Sequence, residues 1–115
     1  MPLTIIRPRV SISPDFIVGP GKIDLLRATA QLGSISAAAR SLGMGYRRAW
    51  ALLDEINRNF PCPVVETSSG GKGGGGATVT EAGMALIRAY DDIEAACNAA
   101  AGPGLAAIQA IIRRA

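Results

Sequence analysis

Apolar side chains recur every three to four residues over several stretches of this 115-residue chain and every second residue over shorter ones. From Lys22 to Leu32, Ile23, Leu26 and Ala30 share one face of a predicted helix, and Leu25 and Leu32 widen the stripe. Gly33 reads as its C-terminal cap. Ser36 is the expected N-cap of a short helix over Ala37 to Leu42, stopped by Gly43. A third helix is predicted from about Gly45 to Asn59, with Ala49, Leu52, Leu53, Ile56 and then Phe60 on the buried side, and Pro61 and Pro63 end it. Thr80 caps a fourth helix from Glu81 to about Ala100, with Leu86, Tyr90, Ile93 and Cys97 on one side. Gly102-Pro103-Gly104 predicts a break, followed by a short closing helix in which Leu105, Ile108 and Ile112 align.

The alternating segments are brief. Val10 and Ile12 are expected to face inward while Arg9, Ser11 and Ser13 face out, and Pro8 and Pro14 confine that strand to an edge. Val64 to Thr67 and Ala77 to Val79 predict a hairpin, whose tip holds six glycines around Lys72 and is expected to be mobile when unbound. The order is strand, helix, helix, helix, hairpin, long helix, short helix. It predicts a mainly α fold, a winged helix-turn-helix with a β-hairpin wing, a short N-terminal strand and a long C-terminal dimerisation helix. Residues 1–20 form the N-terminal arm, 21–80 the winged helix-turn-helix, and 81–115 the dimerisation helix with the short closing helix.

Composition removes whole classes of chemistry. The chain is 49% hydrophobic and 4% aromatic and has no histidine, which excludes Ser-His-Asp and Cys-His nucleophile systems and imidazole metal ligands. Cys62 and Cys97 have no CxxC spacing, and two thiols do not make a four-ligand zinc site. No catalytic residue, cofactor or metal is expected. The start lacks the order of a signal peptide, and no stretch is read as approaching 18 uncharged apolar residues, so a soluble cytoplasmic protein without a membrane partner is expected. The net charge of +3 is unevenly placed: residues 1–80 carry +4 and residues 81–115 carry −1. An anionic partner for the first part follows.

The helix pair around Gly43 locates that partner. Ala37, Ala38 and Ala39 are small enough for close packing beside the turn, and Gly43 tolerates positive φ. On the next helix, Arg47, Ala51, Asp54 and Arg58 lie opposite Ala49, Leu53 and Ile56, Arg48 and Glu55 flank the outer side, and Tyr46 and Trp50 are expected to seal the edge of the core. An isolated helix with exposed arginines reads as solvated surface; placed after an alanine helix and a glycine turn, and before a cationic hairpin, it reads as a recognition helix. Arginine suits the leading turn because its planar fork donates two hydrogen bonds to guanine O6 and N7. The candidate DNA-binding residues are Ser34, Ser36, Tyr46, Arg47, Arg48, Arg58 and Lys72, with Arg40 as a further backbone contact. The glycine run does not satisfy the P-loop pattern, and no helix starts there to make a dinucleotide site. Asp91, Asp92 and Glu94 read as solvated surface.

The runs Gly33-Ser34-Ile35-Ser36-Ala37-Ala38-Ala39, Gly43-Met44-Gly45-Tyr46-Arg47-Arg48-Ala49-Trp50, Gly70-Gly71-Lys72-Gly73-Gly74-Gly75-Gly76-Ala77 and Val79-Thr80-Glu81-Ala82-Gly83 resemble the N-terminal winged helix of the ModE family of molybdate-responsive transcriptional regulators, itself similar to the LysR-type DNA-binding domain. The resemblance covers about Pro20 to Asn98. It implies a homodimer paired through the long helix, with two recognition helices in neighbouring major grooves of double-stranded DNA. The chain has Gly45 where the family often carries serine. The family's molybdate-binding domains follow the winged helix, and the Thr-Ser-Ala-Arg-Asn-Gln type of run that they use does not occur here, so molybdate is not assigned as a ligand. Two readings compete with DNA binding: a winged helix used only for docking or dimerisation, and a small enzyme or anion-binding protein using the glycine tip.

Overall fold

A computed structural model describes residues 6–68 and 76–114. It contains two small antiparallel hairpins and four helices, in the order β1 (Val10–Ser13), β2 (Phe16–Val18), α1 (Pro20–Leu32), α2 (Ile35–Ser41), α3 (Tyr46–Arg58), β3 (Val65–Ser68), β4 (Gly76–Val79) and α4 (Glu81–Arg114). This is the mainly α, winged helix-turn-helix class that the sequence predicts.

The N-terminal strand is half of a hairpin. Val10 pairs with Val18 and Ser11 with Ile17, with an irregularity before Ser13 opposite Phe16. The inward face differs from expectation: Ile12 is 61% exposed, whereas Phe16 and Val18 are buried. Phe16 and Val18 of β2 take the core positions, and Val10, paired with Val18, is only partly buried beside them. Phe16 meets Phe60 edge-on, ring centroids 6.0 Å apart, and thereby joins the hairpin to the end of α3.

Helix α1 begins at Pro20, before the predicted Lys22, with Gly19 as N-cap and proline in the first turn, where its missing N–H costs nothing. Ile23, Leu25 and Leu26 are fully buried, but Ala30 and Leu32 face out, and Ala28 and Thr29 take their place inside. The Thr29 hydroxyl donates to Leu25 O at 2.8 Å, which satisfies it within the helix. Gly33 ends α1 at φ 70°, its N–H bonded to Thr29 O.

The cap of α2 moves two residues from the expected Ser36. Ser34 is extended and its Oγ accepts from Ala37 N at 3.2 Å, while Ser36 is exposed in the first turn. Burial of Ile35 decides between the two serines, because it draws that residue into the helix. Gly43 lies at φ 66° and lets the chain reverse; Met44 N–H bonds Ala39 O at 2.9 Å across the turn.

Helix α3 packs through Ala49, Leu53 and Ile56, with Leu52 and Phe60 partly buried beside them. The core these residues share with α1, α2 and β2 extends to Val64, Val65 and Ala77 of the second hairpin and to Ile87 and Tyr90 of α4. Thr80 caps α4 as expected, accepting from Gly83 N at 3.2 Å and donating to Pro63 O at 2.7 Å.

One prediction fails in α4. It continues through Gly102-Pro103-Gly104 to Arg114 as a single 34-residue helix, with no separate closing helix. Proline forfeits one backbone bond and crowds the preceding turn, a cost of about 3 kcal/mol. Here the segment is exposed, so the released carbonyl is open to water, and the surrounding alanines favour helix on both sides. A second correction follows. Residues 95–112 form an unbroken uncharged run, and by length and composition alone α4 is long and apolar enough to cross a membrane. The apolar stripe also divides: Ile87 and Tyr90 are buried against the chain's own core, while Met84, Ile93, Ile108, Ile111 and Ile112 remain exposed.

Candidate nucleic-acid interface

Helix α3 is flanked by a hairpin on each side. Along one edge, Trp50, Asp54 and Asn57 line a small hollow with Ile35, Val65 and Thr67, next to the β3–β4 wing. Along the other, Arg48, Leu52 and Glu55 line an open cleft of about 350 Å³ that reaches β1–β2 and the start of α1. Between these edges its outer face carries Arg47, Ala51 and Arg58 into solvent.

Two side chains and a pair of backbone bonds hold the helix and its wing in this setting. Asn57, overlooked by sequence reasoning, accepts from Val64 N at 2.8 Å and Val65 N at 3.2 Å, and donates to Val65 O at 3.0 Å. One amide thus ties α3 to the first wing strand. On the opposite edge, Lys22 donates to Ile17 O at 2.7 Å, approaches Glu55 at 3.4 Å and lies 5.1 Å from the Phe16 ring centroid. It joins hairpin, α1 and α3 through one ammonium group. The far end of the wing is fixed by Ala77 N–H bonding Gly33 O at 2.9 Å and Thr80 N–H bonding Val64 O at 3.0 Å.

The predicted site residues divide by environment. Tyr46, Arg47 and Arg48 form the leading turn of α3 and are exposed; Gly45 caps that turn without a side-chain bond. Tyr46 and Trp50 do not seal the core as expected: they are 53% and 48% exposed. Ala49 and Leu53 occupy the buried face of α3, and the two rings stay at its rim. Ser34 is engaged as the cap of α2, and Ser36 and Arg40 are exposed on the same helix. Arg58 is exposed but held by Asp54 at 3.0 Å, one turn earlier. Lys72 lies outside the described residues.

Ion pairing sorts the cations further. Arg7 pairs with Asp24 at 2.6 Å and approaches Glu94 at 3.6 Å, and Arg27 pairs with Asp91, so the α1–α4 side is internally neutralised. The hydrogen bond that Arg7 donates to Asp24 raises the Arg7 pKa further above its already high ordinary value. Burial raises the Tyr90 phenol, which donates to Pro8 O at 2.8 Å. Two members of the acidic trio on α4, Asp91 and Glu94, therefore neutralise arginines. By contrast Arg9, Arg40, Arg47 and Arg48 have no ion-pair partner among the described residues. Four unpaired guanidinium groups thus lie on and beside the helix-turn-helix, while Arg88 and Arg113 of α4 are also without an ion-pair partner among the described residues.

Comparison with known proteins agrees with this architecture. Residues 21–84 match the profile of the family described as "Bacterial regulatory helix-turn-helix protein, lysR family". The chain is 45% identical over 85 residues to the molybdenum-pterin-binding protein MopA of Rhodobacter capsulatus, covering 74% of this chain and 32% of that protein. It is 44% identical over 72 residues to the DNA-binding transcriptional dual regulator ModE of Escherichia coli K12, covering 63% of this chain and 28% of that protein. ModE of Haemophilus influenzae is 33% identical over 85 residues, 74% of this chain and 33% of that protein. The chain thus spans about a third of the length of these relatives. With the alanine-rich α2, the Gly43 turn, the exposed arginine turn of α3 and the following hairpin all within the matched segment, the chain belongs to the lysR family of bacterial regulatory helix-turn-helix proteins and carries a ModE-like winged helix.

Proposed function

We propose that this chain binds double-stranded DNA as a dimeric transcriptional regulator, with α3 in the major groove. The observation that carries the reading is the unpaired Arg47–Arg48 turn at the exposed start of α3, in a molecule that neutralises Arg7, Lys22, Arg27 and Arg58 internally. Arg47, on the outer face, reads a base edge; Arg48 reaches a base or the adjacent phosphate. Tyr46 lies against the groove wall. Ser34, Ser36 and Arg40 on α2 and Arg58 on α3 meet the sugar–phosphate backbone, Arg58 by exchanging Asp54 for phosphate. The glycine-rich wing brings Lys72 to the backbone or minor groove. Pairing of two chains along the exposed Met84, Ile93, Ile108, Ile111 and Ile112 of α4 removes that apolar surface from water, and sets two recognition helices on half-sites about one helical turn apart or a multiple of it.

The test is selection of sites from random duplexes, followed by titration across a salt series. Arg47→Ala is expected to cost roughly 1–3 kcal/mol and relax preference at one base position, while Lys72→Ala weakens all sequences alike and lowers the salt slope by about one. The single tryptophan, Trp50, reports contact through its fluorescence. Binding that is absent, or present without loss as salt rises, refutes the proposal and leaves a docking module.

A further inference from the structure

The family match begins at residue 21, so the β1–β2 hairpin lies outside it. Yet this hairpin is held as firmly as the matched part. Asn98 on α4 brackets Ile6, accepting from its N–H at 2.8 Å and donating to its C=O at 2.9 Å. Arg7 is ion-paired to α1 and α4, and the Tyr90 hydroxyl bonds Pro8 O. Three successive residues thus lead toward β1 under restraint, and Arg9 follows them. A Cβ added at Gly19 would lie 3.3 Å from Arg9 Cγ, so the Arg9 stem crosses the chain at the entrance to α1 in space left by a glycine. From there Arg9 lines the 350 Å³ cleft that Arg48 lines from α3.

The charges of this cleft are unbalanced in a particular way. Lys22 and Glu55 are paired with each other, and Asp15 at the hairpin turn has no ion-pair partner among the described residues. Two free guanidinium groups remain against one carboxylate. Arginine forks placed on two separate elements suit a tetrahedral phosphodiester oxygen pair, which each fork can meet in two hydrogen bonds. The cleft also borders the edge of α3 opposite the wing. On the proposed DNA-binding reading, on which this inference rests, that edge faces the backbone at the far side of the groove.

We propose that the β1–β2 hairpin acts as a second wing, and that Arg9 and Arg48 together hold one phosphodiester of the DNA backbone in the cleft between the hairpin and α3. Arg9 is then a sequence-independent contact supplied from outside the helix-turn-helix, and Asp15 opposes it.

The experiment compares the full chain with Arg9→Gln, Arg9→Lys, Asp15→Asn and Arg113→Gln, by titrating the selected duplex and a random duplex over a salt series. Arg113 is exposed at the far end of α4 and controls for loss of one charge anywhere. Arg9→Gln is expected to weaken both duplexes alike, roughly three- to tenfold, and to lower the salt slope by about one, with an unchanged melting temperature. Arg9→Lys restores the slope, and Asp15→Asn strengthens both duplexes. Ethylation interference shows one backbone phosphate with the unaltered chain that Arg9→Gln no longer needs. If Arg9→Gln binds like the unaltered chain while Arg47→Ala is impaired, the second wing is refuted and the recognition helix stands. If Arg9→Gln and Arg113→Gln weaken binding equally, the effect is diffuse charge and the cleft contact is refuted. If the unaltered chain binds no DNA, both proposals fail together.

Discussion

Replacing Asn57 by alanine removes all three hydrogen bonds between α3 and the wing while leaving the surrounding apolar contacts in place. The amide serves Val64 N, Val65 N and Val65 O at 2.8, 3.2 and 3.0 Å. Val64 and Val65 are both buried, so water reaches the three orphaned backbone groups poorly. At a net 0.5–1.5 kcal/mol per hydrogen bond, the loss amounts to about 2–4 kcal/mol. That is a large fraction of the roughly 5–15 kcal/mol that holds a domain together. Asn57→Asp separates the parts: it keeps the two accepted bonds but turns a second oxygen toward Val65 O, so it is expected to fall between the unaltered chain and Asn57→Ala. Urea denaturation followed by circular dichroism measures the series at one protein concentration, because the proposed pairing of two chains makes stability depend on concentration. Amide exchange at Val64 and Val65 should rise in Asn57→Ala before that of α1, and stay lower in Asn57→Asp, which keeps both N–H bonds. A loss under about 0.5 kcal/mol for Asn57→Ala, or protection at Val64 and Val65 unchanged, refutes the view that one side chain fastens the wing.

Two further substitutions probe the frame around the interface. Gly83→Ala places a methyl group 2.4 Å from Val64 O and 2.5 Å from Val79 Cγ1, too close to the backbone for a simple side-chain shift. Overpacking of about 1–3 kcal/mol then outweighs the usual helix gain of about 1 kcal/mol, whereas Gly104→Ala, with nothing within 4 Å, is expected to stabilise by about 0.5–1 kcal/mol; thermal melts compare the signs. Tyr90 has its pKa raised by burial, so the folded state holds the phenolic proton more tightly than the unfolded state does. Its contribution is complete below the ordinary value of about 10 and is lost as pH rises from there through the folded value. Tyr90→Phe is expected to flatten that alkaline decline and, by losing the bond to Pro8 O, to cost about 1 kcal/mol at neutral pH, both read from denaturation curves at several pH values.

Local signals carried most of the architecture. Gly33 and Gly43 stop helices by adopting positive φ, Thr80 caps α4, and the Ala49, Leu53, Ile56 stripe faces the core, because each is decided within a turn or two of chain. The departures arise where distant residues decide. Ser34 and Ser36 are equivalent caps by composition, and only the burial of Ile35 selects the first. Pro20 opens α1 two residues before the Lys22 start that the apolar spacing predicts, and Pro103 reads as a stop although its helix continues. In the N-terminal hairpin, alternation alone could not tell that Phe16 and Val18, not Ile12, meet the core. The exposed arginine turn was legible from helical spacing. The function of Asn57 was not, since its partners lie seven and eight residues on in a strand, and a polar residue on a helix gives no sign of them.

The segregation of the ion pairs has a consequence for motion before contact. Acidic side chains are spent on Arg7 and Arg27 along α1 and α4, bare guanidinium groups stand on α2, α3 and the first hairpin as well as at Arg88 and Arg113 of α4, and residues 1–80 carry +4 against −1 for residues 81–115. The molecule therefore carries an electric dipole out of proportion to its modest net charge of +3. Drifting near a polyanion, it experiences a torque as well as a pull, and turns its cationic end forward while still separated from its target by solvent.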